Sequence, residues 1–504
     1  MRAVTPVTLE SLPEDPAALK GMVLDQAQWI ERLVTEVGRL RRHVFGQKSE
    51  RLPDGQQIFD YYGTVVEEPA PAPEKPEPPP RPSGKKGHGR RVIPPEIPRQ
   101  VILHDLPEDE KQCGRCGKRM HPFDWEVSEQ LEVEPARIFV LSHVRPKYGC
   151  QDDDCRGCVK IAPPATSPIE RGLAGPGLIA STIVEKFDDH LPCYRQSERW
   201  LRQGIEFSRS TLCDWLREGA NLLRPIVLAL KEDLLQSHVL HTDDTPVKVL
   251  VEGLHRAHQA YLWAYVGDAQ HKAIVFQFTM TREQEHTAEF LKDYEGYLQC
   301  DAYKGYDQLF CSPTKKRVEV ACVAHVRRYF YDAREVDPKR ALLVIGWIKL
   351  LYVVEDEARA MTPDDRRQLR QEKARPILDR MKEWLDVEAP RVLPKSPMGQ
   401  AIGYARGLGP ALGRYLEDGT LDIDNNEVER TVRGAAIGRK NWLFMGSEGG
   451  GETAAIHFSI VESCKANGVN PYLYLKDVLV RVSTHPAKQV MELTPRLWKP
   501  PGST

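Results

Sequence analysis

The sequence predicts a multidomain α/β protein. The chain has 504 residues, which is too long for a single hydrophobic core, so two to four domains are expected. Strand-forming runs rich in Val, Leu and aromatic residues occupy residues 238–306, with one helical segment among them. Helical periodicity precedes this region from about residue 175 and follows it from about residue 334, whereas proline- and cysteine-bearing stretches fill much of the first 165 residues.

Composition limits the class of protein. Hydrophobic residues make up 41% of the chain, which is enough for buried cores, and no apolar run approaches the roughly 20 residues that span a bilayer. The first 20 residues lack the charged start and continuous apolar stretch of a signal peptide. The 11 cysteines are an odd number without an export signal, which favours reduced thiols or metal ligands in a cytosol. We therefore expect a soluble intracellular protein that does not enter a membrane, and its net charge of −2 means that nucleic acid would bind only to local basic patches.

The first predicted element is a coiled-coil helix over residues 17–50. Its seam alternates three- and four-residue steps for about three heptads, which suits pairing of protomers in a homo-oligomer. An amphipathic helix packed on its own chain is the alternative. A proline-rich and then basic linker follows over residues 66–95. The seam residues are Val23, Gln26, Ile30, Leu33, Val37, Leu40 and Val44.

A small zinc-binding β unit is predicted over residues 96–165. Two cysteine groups, "CGRC" and "CQDDDCRGC", flank two strand-like runs. Paired cysteines at both ends of a hairpin are typical of one structural, tetrahedral Zn²⁺ site. In the second group two cysteines compete for the fourth position. The candidate ligands are Cys113, Cys116, Cys150 and either Cys155 or Cys158.

Residues 170–236 are predicted to be helical and to resemble a helix-turn-helix. One helix runs through Trp200 and breaks at Gly204, and a second begins after Ser208 or Ser210 as its N-cap. In this interpretation Arg209, Ser210 and Thr211 open a DNA-recognition helix. Any helical hairpin gives the same pattern, so the alternative is a purely structural pair of helices.

From residue 237 to residue 460 the order of elements is that of a ribonuclease H-like domain. Three strands ("HVLHTDDTPVKVLV", "AYLWAYVGD" and "KAIVFQFTM") precede a helix, "TREQEHTAEFLKDY", and a fourth strand that ends at Asp301. A charged helical insertion follows at about residues 334–400, and another helix opens near Asp424 or Asn425. Residues 461–504 form a C-terminal segment.

In that fold, acids on the first strand, at the end of the fourth strand and on a later helix lie together. The candidates are Asp243 or Asp244, then Asp301, then Glu427 or Glu429. Three converging carboxylates repel one another unless divalent cations lie between them, and hard oxygen ligands select Mg²⁺ or Mn²⁺. Two such ions can support phosphodiester chemistry. Neighbours in a strand face opposite sides, and helical residues two apart differ by about 200°, so one acid of each pair is expected at the site. The alternative is that these acids are solvated charges.

Basic and aromatic side chains accompany these acids. They suit contacts to the phosphate backbone and stacking on a base. The alternative is a set of ordinary surface cations, a structural histidine and a core tryptophan. The candidate DNA-contacting residues are His325, Arg327, Arg328, Arg439, Lys440 and Trp442.

The whole chain resembles the transposases of the insertion-sequence-66 family, a branch of the DDE transposases. "HTDDTPVKVL" is similar to that family's first-Asp strand, which usually ends in Asp-Glu-Thr-Pro, and "GYLQCDAYKGY" to its second-Asp strand. "CVAHVRRYF" resembles its Cys-x-Ala-His-x-Arg-Arg-x-Phe segment. "DNNEVERTVRGAAIGRKNWLFMGSEGG" resembles the stretch that carries the catalytic Glu.

The resemblance implies specific residues and partners. It selects Asp243, Asp301 and Glu429 as catalytic ligands of two Mg²⁺ (or Mn²⁺) ions, with Asp244 in the place of the motif's Glu. The second cysteine group departs from the family's Cys-x-x-Cys, and Cys155 is favoured because it follows Cys150 most closely. The implied partners are double-stranded DNA, as inverted repeats and target, and small helper proteins of the same element, in the bacterial cytosol or nucleoid. A catalytically inactive DNA-binding accessory or repressor and a non-transposing nuclease are the alternative functions.

Overall fold

The computed structural model describes residues 172–500, apart from 254–255, 302 and 312–315, together with residues 15, 20–21, 26, 138–141, 147–149, 159–161 and 167–169. The chain divides into two compact units, one of residues 1–64 with 166–504 and one of residues 65–165. Most of the predicted coiled-coil segment and the whole linker lie outside the described residues; Lys20, Gly21 and Gln26 are helical. The predicted zinc ligands also lie outside them, namely Cys113, Cys116, Cys150 and Cys155.

The described part of the smaller unit is a short antiparallel pair of strands. Strand β1, Lys147–Gly149, pairs with β2, Val159–Ile161, so that Lys147 is opposite Ile161. Residues 150–158, which separate these strands in the sequence and include the second cysteine group, lie outside the described residues.

Between residues 172 and 238 three α-helices precede the sheet: α1, Pro176–Phe187; α2, Cys193–Leu201; and α3, Arg209–Leu234. The predicted break lies between α2 and α3, where Gly204 has φ +83°, a conformation that favours glycine. Of the two predicted N-caps, Ser208 has this role, because its hydroxyl accepts a hydrogen bond from the Thr211 backbone N–H at 3.0 Å.

A five-stranded sheet forms the centre of this unit. In order across the sheet the strands are β5-β4-β3-β6-β7; β3–β4 and β4–β5 are antiparallel, whereas β3–β6 and β6–β7 are parallel. The first four strands were predicted, and β7 was not, because its five residues, "RVEVA", alternate charged and apolar side chains within a presumed connection. The bounds are β3, Val239–Val249; β4, His258–Val266; β5, Ile274–Thr279; β6, Gly296–Cys300; and β7, Arg317–Ala321.

Two helices late in the chain pack on the sheet: α11, Asn426–Trp442, against β3 and α12, Glu448–Ala466, against the edge strand β5. The hydroxyls of Ser459 and Ser463 on α12 accept hydrogen bonds from backbone N–H groups of β5, at 2.8 and 2.9 Å. The helix therefore covers groups that an exposed edge strand would leave unpaired.

Several helices lie in the chain between β7 and α11. These helices share one apolar core that includes Phe330, Trp347, Met381 and Leu412. The guanidinium of Arg370 is fully buried there and donates to both carboxylate oxygens of Glu355, at 2.8 and 2.6 Å. Among the described helices, none combines the length and the apolar composition of a membrane span. The remaining helices are α4, Gln284–Phe290; α5, Asp307–Phe310; α6, Val323–Ala333; α7, Pro338–Ala358; α8, Pro363–Leu369; α9, Arg375–Glu388; α10, Pro397–Gly413; and α13, Pro471–Arg481.

Candidate active site

Strand register places Asp243 and Asp301 at neighbouring positions. The parallel strands β3 and β6 pair with His241 opposite Gln299; Asp243 follows two residues later within β3, and Asp301 comes directly after the end of β6. Adjacent strands lie about 4.8 Å apart, so the two aspartates lie on neighbouring paths of the chain. Both side chains are half-buried. Burial, reinforced by the charges of Asp301 and Glu429, raises the pKa of Asp243 from 3.8 to about 7.

The adjacent acid, Asp244, has a different environment. Arg282 donates two hydrogen bonds to its Oδ1 atom, from Nε at 3.0 Å and from Nη2 at 2.6 Å. Asp243 has no ion pair among the described residues, and its Oδ1 accepts a hydrogen bond from the Asp244 backbone N–H at 2.9 Å. Thus Asp244 is neutralised by a protein cation, and Asp243 keeps oxygen lone pairs for another ligand.

The start of helix α11 is fixed to the sheet by Asn425. This buried residue occupies the N-cap position, but its side chain makes no capping bond. Instead Nδ2 donates to the Thr242 carbonyl at 2.9 Å, and the amide oxygen is 3.0 Å from Nδ1 of His241. The backbone N–H of Asn425 donates to Sγ of Cys322 at 3.2 Å. The helix therefore begins at a set position beside β3.

A second set of bonds holds the segment before α11 against β6. Gln299 is buried, and its Nε2 donates to the carbonyls of Asp422 and Asp424 at 2.8 and 2.9 Å. The hydroxyl of Tyr352 donates to the Asp424 carboxylate at 2.8 Å. Gln299 lies two residues before Asp301. The chain segment that leads to Asp301 therefore also holds residues 422–424, which precede the helix that carries Glu429.

Glu429 lies in the first turn of α11 and faces helix α6. Its Oε1 atom is 3.8 Å from Nε2 of His325, and Cys322 completes a group whose ligand atoms all lie within 4.8 Å of one another. Burial raises the pKa of Cys322 to about 12, so this thiol remains protonated near neutrality. Glu427 faces a different group, formed with His241 and Asp422. The two glutamates thus point in different directions, as the helical spacing predicts.

The sequence predicts that the three acids Asp243, Asp301 and Glu429, hereafter the carboxylate cluster, bind hard divalent cations. Among the described residues these three do not form a group whose ligand atoms all lie within 4.8 Å of one another. Their donors are all carboxylate oxygens, which suit Mg²⁺ or Mn²⁺. Burial is the main cause of the raised pKa of Asp243, and the negative charges of Asp301 and Glu429 add to it. A divalent ion would therefore favour the ionised cluster.

The predicted basic residues have different environments. Arg439 donates to the Thr245 hydroxyl at 2.8 Å and to the Pro246 carbonyl, so its guanidinium joins α11 to β3. Lys440 and Arg328 are exposed, and Trp442 is half-buried. Arg327 lies over the Tyr331 ring, 5.6 Å from its centroid. Of this set, Lys440 and Arg328 are the most exposed cations.

The predicted recognition-helix residues lie at the start of α3. Arg209 and Ser210 are exposed, and Thr211 is half-buried. The hydroxyl of Ser208 pairs with those of Ser210 and Thr211 at 2.7 and 2.8 Å. These side chains form no hydrogen bond or ion pair with the carboxylate cluster among the described residues.

Several residues around the site were not predicted. Arg282 is 38 residues from its partner Asp244, and no spacing in the sequence links them. Asn425 was considered only as a helix cap. His241 and Cys322 appear in quoted motifs, but their bonds to Asn425 depend on packing between β3, α6 and α11.

Family models match four stretches of the chain. The model "Transposase IS66 family" matches residues 171–453 and "IS66 C-terminal element" matches residues 459–496. The chain belongs to the IS66 family of transposases. The model "zinc-finger binding domain of transposase IS66" matches residues 110–152, a range that includes Cys113, Cys116 and Cys150. The model "Transposase C of IS166 homeodomain" matches residues 32–102, which overlap the predicted coiled coil and linker.

Curated relatives match most of the chain. The chain is 32% identical to uncharacterized protein y4qI of Sinorhizobium fredii, over 99% of this chain and 95% of the relative. Proteins y4hP and y4jD of the same organism are each 30% identical, over 93% and 97% of this chain and 89% and 98% of theirs. A solved Drosophila P element transposase strand transfer complex shares 12% identity over 60% of this chain and 94% of its own, at a TM-score of 0.33, which is too low to bear on fold or function.

Proposed function

We propose that this IS66-family protein is a DNA transposase that binds the terminal inverted repeats of an insertion sequence and catalyses metal-dependent strand cleavage and strand transfer. The observation that carries the proposal is the parallel register of β3 and β6, with Asp243 and Asp301 each two residues past the paired His241 and Gln299. The effect of Glu429 on the pKa of Asp243 supports the third member of the cluster.

The catalytic domain is proposed to be ribonuclease H-like. The sheet order β5-β4-β3-β6-β7, with an antiparallel β3-β4-β5 meander joined to two parallel strands, supports this assignment. An acid on the central strand β3, an acid at the end of its parallel neighbour and a glutamate on a later helix are the arrangement expected of that domain. The helices that follow β7 would form the predicted insertion between Asp301 and Glu429.

In this mechanism the chain's own residues hold and orient the reactants. Asp243, Asp301 and Glu429 would bind two Mg²⁺ or Mn²⁺ ions, which when present activate the attacking oxygen and stabilise the leaving oxygen. Water would break the P–O3′ bond at each element end and release a 3′-hydroxyl. That hydroxyl would then attack a phosphodiester of target DNA and displace a new 3′-hydroxyl. No covalent protein–DNA intermediate is needed.

Several parts of the chain would hold the DNA. Exposed Arg328 and Lys440 suit phosphate contacts, as do Arg209 and Ser210 at the start of α3. Trp442 is half-buried, so only part of its ring could stack on a base. Arg439 donates a hydrogen bond to Thr245 of β3. The zinc unit would hold one structural Zn²⁺ through Cys113, Cys116, Cys150 and Cys155. Homo-oligomers and helper proteins of the same element complete the proposed assembly.

The test is strand nicking and joining on labelled element-end DNA in Mg²⁺. Asp243→Asn, Asp301→Asn and Glu429→Gln should each reduce nicking by about a hundredfold or more, because each removes a ligand charge. Glu417→Gln is the matched control, since Glu417 is an exposed acid that is not in the carboxylate cluster, and it should nick like the wild type. Wild-type protein that binds the ends but never cuts them, with or without helper proteins, would overturn the proposal.

A further inference from the structure

A second group of potential ligands lies beside the carboxylate cluster without sharing a residue with it. One ring nitrogen of His241 and one carboxylate oxygen each of Asp422 and Glu427 lie within 4.8 Å of one another. These three residues are hereafter the His241 cluster. His241 is only 3% exposed, whereas both acids reach the surface. A buried imidazole thus meets two acids at the protein surface.

Asn425 determines which nitrogen of His241 carries the proton. Its Nδ2 donates to the Thr242 carbonyl at 2.9 Å, so its amide oxygen is the atom that faces Nδ1 of His241 at 3.0 Å. An amide oxygen only accepts hydrogen bonds, so Nδ1 of the neutral imidazole carries the proton and Nε2 has the lone pair. Within the described part of the chain, no hydrogen bond reaches that Nε2 atom.

The two carboxylates are also without partners in the described ranges. Neither Asp422 nor Glu427 has a side-chain hydrogen bond or ion pair there, although the segment between them is held by bonds to Gln299 and Tyr352. The Nε2 lone pair of His241 and the two carboxylates are all acceptors toward one another. A divalent cation would satisfy all three.

We propose that the His241 cluster binds one divalent transition-metal ion of the Mn²⁺ or Zn²⁺ class. An imidazole with two carboxylates suits these ions, whereas Mg²⁺ prefers oxygen ligands alone. The bond from His241 Nδ1 to Asn425 is the kind of outer contact that orients a metal-binding histidine. The ion would join His241 on β3 to Asp422 and Glu427, which come before and after Asn425 in the chain. It would therefore stabilise the position of the start of α11, which carries Glu429.

The experiment measures Mn²⁺ bound to the full chain by electron paramagnetic resonance, with pulsed detection of coupling to ¹⁴N. The Asp243→Asn/Asp301→Asn double variant removes the carboxylate cluster as a Mn²⁺ site, so the result does not depend on the proposed transposase activity. A Mn²⁺ signal coupled to ¹⁴N is expected in this variant, because His241 supplies a nitrogen ligand. Adding Glu427→Gln or Asp422→Asn should weaken this binding about tenfold or more, whereas the matched control Glu417→Gln leaves it unchanged.

Two results would overturn the proposal. One is the absence of ¹⁴N coupling in the double variant while circular dichroism shows that it is folded. The other is ¹⁴N-coupled Mn²⁺ that Glu427→Gln and Asp422→Asn leave at the same affinity, because the nitrogen ligand would then come from another histidine. Both added substitutions are at exposed positions, so the fold should tolerate them.

Discussion

Replacing Asp243 by Asn should stabilise the protein at pH 8 when no divalent cation is added. Burial and the neighbouring acids raise the pKa of Asp243 from 3.8 to about 7, so the folded state holds this proton more tightly than the unfolded state. The resulting stability is present below pH 3.8 and is lost as the pH rises through about 7. The difference between the pKa values of Asp243 in the unfolded and folded states corresponds to about 4 kcal/mol of unfolding free energy lost at pH 8.

The assay is urea unfolding followed by tryptophan fluorescence, since Trp263 is fully buried in the same sheet. Asp243→Asn keeps the oxygen that accepts the Asp244 backbone N–H, so it removes the charge and little else. The free energies of unfolding of the wild type and the Asp243→Asn variant should differ least at pH 4 and most at pH 8. Added Mg²⁺ should narrow the gap at pH 8 by stabilising only the wild type.

Asp244→Asn is the matched control, one residue along the same strand. Burial raises the pKa of Asp244 too, but the two hydrogen bonds from Arg282 oppose the rise, and Arg282 is 37% exposed, so solvent screens the pair. Its effect on stability should therefore depend much less on pH. Equal pH dependence in the two variants, or a larger one for Asp244→Asn, would refute the assignment of the unpaired charge to Asp243.

Three further predictions concern the framework of the site. Asn425→Ala should destabilise the fold by about 1–3 kcal/mol in urea unfolding, because the buried Thr242 carbonyl and His241 lose a partner, and no change would contradict this role. Arg439→Ala should lower the free energy of unfolding. Lys440→Ala should leave that free energy unchanged, weaken DNA binding and reduce the slope of log affinity against log salt by about 1; the reverse pattern would refute these roles. Gly204→Ala should cost about 1–2 kcal/mol because φ is +83°, whereas the control Gly403→Ala, with open space in α10, should stabilise slightly.

The strands of the sheet could be predicted because burial leaves a local pattern. The apolar run that ends at Asp301 predicted both β6 and the acid that follows it. Alternation along β3 predicted that Asp243 and Asp244 face different ways, and of these two acids Arg282 bonds to Asp244. The edge strand β7 was missed because its alternating Arg317, Val318 and Glu319 resemble a solvated loop.

The contacts that fix the site could not be predicted from one sequence. Asn425 suggested a helix cap, since Asn is common there, but its amide instead joins His241 to the Thr242 carbonyl. These bonds link residues more than 180 apart in the chain, and only the packing of α11 on β3 brings them together. Arg439 illustrates the same limit, because its bonds to the Thr245 hydroxyl and the Pro246 carbonyl of β3 leave no local signal in the sequence.

In the proposed mechanism Asp301 binds a catalytic cation together with Asp243 and Glu429. We would test this role by the rate at which Asp301→Cys nicks element-end DNA in Mg²⁺ and in Mn²⁺. A thiolate is a poor ligand for Mg²⁺ and a better one for Mn²⁺, so the variant should be inactive in Mg²⁺ and regain part of its activity in Mn²⁺. An Asp301→Cys variant that cuts as fast as the wild type in Mg²⁺ would contradict the account.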